Sequence, residues 1–279
     1  MQSDHAARTW RIVALTAALL GLFPAIAPAA GPDDLYRAQA IVTGTGEVNR
    51  RLGLALCLED VLVKVSGDPR LIGDPRVVAL AKQANVLVGS FTYRDRFAHR
   101  PINDEQGTRD RPHDLTVQFE RAKIDAELAK LGRKPWIGPR PGLVIFLGVN
   151  NGAVAYTLAS DGDRGADQRE ALAEAAKKLA FTMTLPNNAA LSAAGVSYES
   201  LETLEPERLQ DAAKAAGGEV AVVGRLVWSD KALGWIADWR VASGGKTYRW
   251  QIRGVSFDDA FRNGMRGTAQ VLSGNGQPK

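Results

Sequence analysis

The sequence predicts an α/β fold of the α+β type, in which helices pack on mixed sheets. Three observations support this prediction. A long early segment has apolar residues at helical spacing, helices and short apolar strands alternate through the middle of the chain, and an antiparallel meander followed by a helix ends it. The chain has 279 residues, enough for one large domain or two small ones.

The first 30 residues have the features of a secretory signal peptide. Arg8 and Arg11 give a positively charged start, residues 12–23 are apolar, and small residues around Ala27 and Ala29 offer cleavage sites. An uncleaved membrane anchor is the alternative, but an apolar core of this length is short for a bilayer span. We therefore expect a periplasmic protein that keeps no transmembrane segment once the signal peptide is removed.

Charge and cysteine content narrow the class of protein. Without the first 30 residues the chain has 33 basic and 30 acidic side chains, a formal net charge of +3. These charges are spread along the chain, so we expect no nucleic-acid partner. Cys57 is the single cysteine and cannot form an internal disulfide. We expect it to be a buried small side chain rather than a reactive thiol.

The longest patterned segment is a predicted helix that starts near residue 47 and ends at Gly67. Its apolar residues recur at the i, i+4, i+7 spacing of one helix face, and Gly is typical of the left-handed position that follows a helix. The predicted core-facing stripe consists of Leu52, Leu54, Ala55, Leu56, Leu58, Val61, Leu62 and Val65.

A tetrapeptide, Gly-Asp-Pro-Arg, occurs twice around the end of this helix, at residues 67–70 and 73–76. A phosphate or metal loop is one interpretation, but the Gly-Lys-Ser/Thr sequence of phosphate loops is absent. Helix capping is the other, since Asp accepts hydrogen bonds from free helical amides and Pro suits the first position of a helix. We expect the second copy to open a helix through about residue 83, with Val77, Val78 and Leu80 facing inward.

Two stretches together resemble a known family. Residues 56–68 with Leu71 and Asp74, and a later Trp-Gly turn before Arg-Pro at residues 134–141, resemble a proteobacterial family named only as domain of unknown function 2066. The resemblance covers about residues 34–272. It implies an exported envelope protein. It implies no reaction and carries over no catalytic residue, because that family has none assigned.

Further elements of the first half follow from shorter patterns. Residues 35–43 predict a strand, residues 85–97 and 113–119 predict a hairpin around an exposed loop at residues 94–112, and residues 120–131 predict a helix.

A Pro- and Gly-rich turn at residues 134–141 predicts the boundary between an N-terminal half, residues 31–133, and a C-terminal half, residues 134–273. Trp136 and Arg140 lie in this turn. Because ligand clefts tend to form at such boundaries, both are candidate partner or ligand contacts. A packed structural wedge is the alternative.

The C-terminal half alternates strands with helices before the meander. Its predicted strands are residues 142–149, 153–158, 181–186 and 220–228, and its predicted helices are residues 166–179 and 206–216, with an irregular segment at residues 187–204. A final helix runs from Ser256 to about Leu272, and residues 274–279 are expected to be disordered.

The meander carries two residue clusters on opposite faces. Trp228, Trp235, Trp239 and Trp250 are expected to form core under the last helix, with stacking on a sugar or a partner at an exposed edge as the alternative.

Arginines occupy the other phase of the same strands. They are candidate contacts for an acidic partner or ligand, and a solvated outer face is the alternative interpretation. The cluster consists of Arg225, Arg240, Arg249 and Arg253, mixed with Asp238.

No catalytic or metal signature stands out. His99 and His113 flank the predicted loop, but a zinc site needs three or four converging ligands, so we expect no metal and no cofactor. Carboxylate neighbours such as Glu59 and Asp60 point apart on a helix, and the H-E-x-x-H, C-x-x-C and G-x-S-x-G motifs are absent.

The sequence thus favours a non-catalytic binding or protein-interaction module of the cell envelope. An envelope protein or peptidoglycan is the expected partner. A periplasmic enzyme that acts on an envelope glycan or peptide remains the alternative, with no residues to assign to it.

Overall fold

The computed structural model of the chain describes residues 32–98 and 110–279, so the predicted signal peptide and His99 lie outside the described residues. The first half runs β1 (Arg37–Thr43), α1 (Glu47–Ser66), α2 (Pro75–Ala81), β2 (Val88–Asp95), β3 (Pro112–Phe119) and α3 (Arg121–Lys130). The second half runs β4 (Leu143–Asn150), β5 (Ala155–Thr157), α4 (Ala166–Lys178), β6 (Met183–Thr184), α5 (Asn188–Ala194), α6 (Pro206–Ala215), β7 (Val220–Ser229), β8 (Gly234–Ser243), β9 (Lys246–Val255) and α7 (Phe257–Leu272). This order confirms the predicted α+β class with its closing meander and helix.

The described strands form two sheets. β1 and β2 each pair antiparallel with β3, which confirms the predicted hairpin and gives the order β1-β3-β2. The second sheet has the order β5-β4-β7-β8-β9, in which β4 pairs parallel with β7 and β6 and the other pairs are antiparallel. β4 is buried along almost its whole length, as its apolar sequence predicts.

Several predicted strands are shorter than expected, and the one predicted at residues 153–158 contains only Ala155–Thr157. The strand predicted from residue 85 begins only at Val88, after a 3-10 turn at Ala84–Leu87. The strand predicted at residues 181–186 contains only Met183–Thr184, which pair with the first two residues of β4. The ladder does not extend to Pro186, which has no N–H to donate.

α1 packs closely on the three-stranded sheet. A Cβ on Gly53 would lie 2.6 Å from side-chain atoms of Val42 and Leu115, so only glycine allows this approach. Gly67 ends the helix with φ 69°, as predicted. Leu52 and Leu56, however, do not face the core: they are 62% and 57% exposed. The buried stripe is narrower than predicted because the sheet contacts one side of α1 and the short α2 contacts only part of another.

The two Gly-Asp-Pro-Arg copies are caps, as predicted, but they differ in burial. Asp68 accepts a hydrogen bond from the backbone N–H of Arg70 (3.0 Å), and Asp74 accepts one from the backbone N–H of Arg76 (2.8 Å). The Asp68 side chain is 0% exposed and forms ion pairs with Arg70 and Arg133. The Asp74 side chain is 16% exposed and pairs with Arg76. The first copy is therefore a buried charge network and the second a surface cap. The helix that the second copy starts, α2, buries fewer residues than predicted: Val77 faces inward, but Val78 is 48% exposed.

The predicted halves share one hydrophobic core. Residues of α1, such as Leu58, belong to the same buried cluster as Trp239 and Phe261 of the second sheet and α7.

The tail at residues 274–279 is held by hydrogen bonds, so the prediction that it is disordered is wrong. Asn275 Nδ2 donates to the carbonyl of Ser66 (2.9 Å) and Gln277 Nε2 to that of Arg249 (2.7 Å), so the tail lies across both halves. No helix in residues 32–98 and 110–279 is long and apolar enough to cross a bilayer.

Helices cover the second sheet unevenly. α7 contacts β7, β8 and β9 on one face and also packs against α4. On the other face, Leu191 of α5 and Leu209 of α6 belong to a second apolar cluster with Val144 and Phe146 of β4 and Val223 of β7. β8 and β9 contribute no residue to this second cluster, so that part of the sheet carries the polar cleft described below.

Cys57 is expected to resist thiol reagents in the folded protein. Its side chain is fully buried, and burial raises the pKa of the Cys57 thiol to about 12, with the charge of Asp60 acting in the same direction. Near pH 8, Ellman's reagent should therefore leave the native protein unlabelled and label one thiol in concentrated guanidinium chloride. Rapid labelling of the native protein would contradict the burial of this helix face.

Candidate functional site

The three strands of the meander separate an aromatic face from a charged face, because successive strand residues point to opposite sides. Trp239 and Trp250 lie under α7 and are 2% and 6% exposed, which confirms them as core. The ring centre of Trp239 is 6.4 Å from that of Phe261. Trp228 is 40% exposed and packs edge-on against Trp235 at the β7–β8 turn. The expected aromatic core is thus confirmed for two of the four tryptophans.

The arginine cluster lies on the opposite face. The strand register places Arg225 opposite Asp238, and Arg240 opposite Arg249. Arg253 follows further along β9. The sheet therefore brings three of the predicted arginines together, while Arg253 lies beyond them.

A second wall converts this face into a cleft. The segment between α5 and α6 lies over β7 and β8, where the carbonyls of Leu201 and Leu204 accept hydrogen bonds from Arg240 Nη2 (3.1 and 3.3 Å). The enclosed volume is about 460 Å³. Its polar lining consists of Glu202, Arg225, Asp238, Arg240, Arg249 and Gln251. We call this the arginine cleft.

Arg225 is held by the second wall. Its guanidinium forms an ion pair with Glu202, donates to the Tyr198 hydroxyl (3.1 Å) and lies 5.1 Å from the centre of the Tyr198 ring. The hydrogen bond to Tyr198 raises the pKa of Arg225, so the guanidinium stays charged. Tyr198 and Glu202 are not predicted from the sequence, because they belong to the irregular segment, which has no periodic pattern from which to infer the direction of its side chains.

Arg240 and Arg249 form the unusual part of the cleft. Arg240 is only 7% exposed, so the expectation of a solvated outer face is wrong at this position. Burial lowers the pKa of Arg240, and the charge of Arg249 lowers it further. Within the described residues, no carboxylate lies at ion-pair distance from either guanidinium. Two cations therefore face each other across adjacent strands, and the charge of Glu205, which acts on Arg240 in the opposite direction, does not come within ion-pair distance.

A short polar chain borders the cleft. Arg253 Nε donates to Gln251 Oε1, and Gln251 Nε2 donates to Asp238 Oδ1. These contacts hold Arg253 within its own strand and occupy Asp238, the acidic residue opposite Arg225. This row of hydrogen bonds orders one rim of the cleft, and Arg253 lies outside the cleft lining.

Trp136 and Arg140 contact other parts of the protein, as structural residues do. Arg140 lies 4.1 Å from the centre of the Trp136 ring and donates to the backbone carbonyls of Leu179 (2.9 Å), Trp136 (3.0 Å) and Lys64. The Trp136 ring also packs against Phe181. Burial lowers the pKa of Arg140 to about 10. These contacts connect α1 to the second half, which favours the structural-wedge interpretation.

The hairpin offers little to a metal ion. His113 Nδ1 lies 2.8 Å from the carbonyl of Arg111, and the neighbouring Asp114 pairs with Arg94 and Arg96. In the part of the chain that the structure describes, no three His, Cys, Asp or Glu side chains gather as metal ligands would. His99, the other histidine considered, lies outside the described residues.

The arginine cleft is suited to binding an anion. Guanidinium groups bind carboxylates and phosphates through pairs of parallel hydrogen bonds. In the cleft, backbone carbonyls fix the guanidinium of Arg240, the exposed guanidinium of Arg249 lies opposite it, and that of Arg225 is nearby. Such a set of guanidinium groups recognises negative charge.

Residues 29–137 are similar to a family described as Domain of unknown function (DUF8605). The match covers less than half of the chain and no match to domain of unknown function 2066 is found, so that resemblance is wrong. A capped helix end and a Pro-fixed Trp turn solve common packing problems, and so they identify a family poorly. The arginine cleft lies outside the matched region. No curated protein and no solved structure matches the chain.

Proposed function

We propose that the chain is exported to the periplasm and acts as a non-catalytic binding module of the cell envelope, with the arginine cleft holding an anionic group of its partner. The leader-like residues 1–30 support export. The Arg240–Arg249 pair is the observation that carries the binding role.

The pair is costly in the free protein. Like charges directly opposite each other in a sheet destabilise it, and burying a charge that has no ion-pair partner adds a further cost, which the charge of Glu205 offsets only in part. Both costs fall when a carboxylate or phosphate enters between the two guanidinium groups. Because Arg240 is 7% exposed and Arg249 is exposed, a ligand would reach the pair from the β9 side of the cleft.

The cleft is also partly preorganised for this task. Two carbonyls hold Nη2 of Arg240, and Tyr198 with Glu202 hold Arg225. Side chains fixed before binding lose less conformational entropy when the ligand arrives. A volume of about 460 Å³ accommodates a few acidic side chains or a short acidic segment. An acidic segment of an envelope protein is the partner that this chemistry fits, and the carboxylates of peptidoglycan peptides share it.

Arg249→Glu is expected to weaken partner binding at least tenfold, about 1.4 kcal/mol, because it replaces a cation that binds the anionic group with a carboxylate that repels it. Tagged protein with its native leader would be cross-linked in intact cells, and the captured envelope proteins identified by mass spectrometry. Capture should be lost in Arg249→Glu and kept in Lys246→Glu, an exposed charge reversal on the same strand.

Two outcomes would overturn the proposal. Equal capture by Arg249→Glu and wild type would exclude the cleft as the binding face. Retention of the unprocessed leader in the cytoplasmic fraction would exclude export. The leader is scored separately by the mass of the mature N-terminus, so the two parts of the proposal can fail independently.

A further inference from the structure

α1 exposes a row of large apolar side chains that the fold does not cover. Val48, Leu52 and Leu56 follow one another at i, i+4 and i+8 and are 64%, 62% and 57% exposed. Leu52 and Leu56, with Val77 and Val78 of α2, line a mostly apolar groove of about 700 Å³, and Val48 continues the row one turn before it. A contiguous apolar surface of this kind marks an interaction site, whereas a single exposed leucine would not.

The adjacent row of α1 carries charges in a symmetric arrangement. Arg51, Ala55 and Glu59 are also spaced by four residues and line the same groove. The two charges are opposite in sign and lie one helical turn on either side of the alanine. Within the described residues, Arg51 Nε is 3.9 Å from Glu47, one oxygen of Glu59 accepts from the Gly73 N–H (3.1 Å), and the charge of Glu59 also acts on Arg266.

We propose that a second copy of this chain occupies the groove, with the two α1 helices antiparallel about a two-fold axis that passes close to Ala55. Such an axis places residue 55−n of one copy opposite residue 55+n of the other. Arg51 of each copy then faces Glu59 of its partner, so that a single surface supplies two intermolecular ion pairs. The charge pattern is therefore self-complementary.

Helix packing geometry agrees with this arrangement. Rows of residues spaced by four form ridges, and the ridges of two helices interdigitate in the commonest packing class. The row of Val48, Leu52 and Leu56 supplies the ridge, and the small side chain of Ala55 allows the axes to approach at the crossing. The last six residues of α1, 61–66, are buried in the fold, so the paired surface comes from its first 14 residues, about 21 Å of helix, together with the α2 walls of both copies.

Charge reversal tests this pairing directly, with sedimentation equilibrium over a concentration series as the measurement. Wild type should dimerise, and Arg51→Glu and Glu59→Arg should each weaken self-association at least tenfold. Mixing the two single variants should restore a heterodimer, because each ion pair then joins opposite charges again. The double variant should restore the homodimer for the same reason. An intrachain role for these residues does not predict association on mixing.

Substitutions of leucine provide the second arm. Leu56→Asp should abolish the dimer, whereas Leu233→Asp, at a leucine that is 85% exposed outside this groove, should leave it intact. Circular dichroism checks that both variants fold. A wild-type monomer at every concentration would overturn the proposal. So would a dimer that survives Leu56→Asp and ignores both charge reversals. The arginine cleft plays no part in these measurements, so their outcome is independent of the proposed binding function.

Discussion

Replacing Asp68 by alanine should lower the free energy of unfolding by about 3–5 kcal/mol, the range for breaking a buried charge pair. The Asp68 side chain is 0% exposed and accepts hydrogen bonds from Nε and Nη2 of Arg70, both at 2.8 Å. Arg133 pairs with the same carboxylate. Removing the Asp68 carboxylate leaves the Arg70 amide without its acceptor and takes away the anion with which the Arg70 and Arg133 guanidinium groups pair. Urea denaturation monitored by tryptophan fluorescence would measure the loss.

The second Gly-Asp-Pro-Arg copy supplies the matched control. Asp74→Ala removes a carboxylate from the same tetrapeptide at a solvent-accessible helix start, so we expect a clearly smaller loss. Equal effects of the two substitutions would contradict the distinction between a buried network and a surface cap.

The stability contributed by the Asp68 ion pairs should depend on pH. Burial alone would raise the pKa of Asp68, but the hydrogen bonds from Arg70 and the charge of Arg133 outweigh burial and lower it. A carboxylate with a lowered folded-state pKa stabilises the protein above its unfolded value, and this contribution is lost as pH falls through the folded-state pKa. The difference in stability between wild type and Asp68→Ala should therefore shrink below about pH 4.

Gly264→Val should destabilise the protein by about 3 kcal/mol, the upper end of the range for an overpacked core. A Cβ on Gly264 would lie 2.4 Å from the ring of Trp239, and a Cβ on Gly267 would lie 2.4 Å from that of Trp250. Both rings are buried between α7 and the sheet, so neither can move without displacing the helix. Gly267→Val should behave similarly.

Gly46→Val provides the comparison for the glycine substitutions. Gly46 has φ −61° and a Cβ there meets nothing within 4 Å, so the expected loss is only that of a less favourable N-cap residue of α1, about 1 kcal/mol. Near-ultraviolet circular dichroism should change for Gly264→Val and not for Gly46→Val. If α7 tolerates valine at residue 264 with an unchanged spectrum, the helix does not pack on Trp239 as described.

The sequence predicts the elements of this fold better than their exposed faces. α1 and its stop at Gly67 follow from local periodicity and the conformational freedom of glycine, which need no tertiary information. The exposure of Leu52 and Leu56 depends on how much of α1 its neighbours cover, and periodicity does not contain that quantity. Similarly, the ladder at Met183–Thr184 is short because β5 pairs with the other end of β4 and Pro186 has no N–H with which to extend the ladder.

The candidate site was predictable only in part. Strand alternation places Arg225, Arg240 and Arg249 on one face, which the sequence analysis anticipates. It does not anticipate that Arg240 is buried, because the covering wall comes from the irregular segment that contains Leu201 and Leu204. Trp136 and Arg140 show the reverse case, in which a turn between halves carries packing rather than a cleft.

The contacts between the tail and α1 have a consequence for the order of folding. Asn275 Nδ2 donates to the carbonyl of Ser66, and Ser273 Oγ to that of Gly67, across 209 and 206 residues of sequence. Contacts at such separation require closure of a very long loop, and chains rich in them fold slowly. The C-terminal end of α1 therefore stays incomplete until almost the whole chain is available.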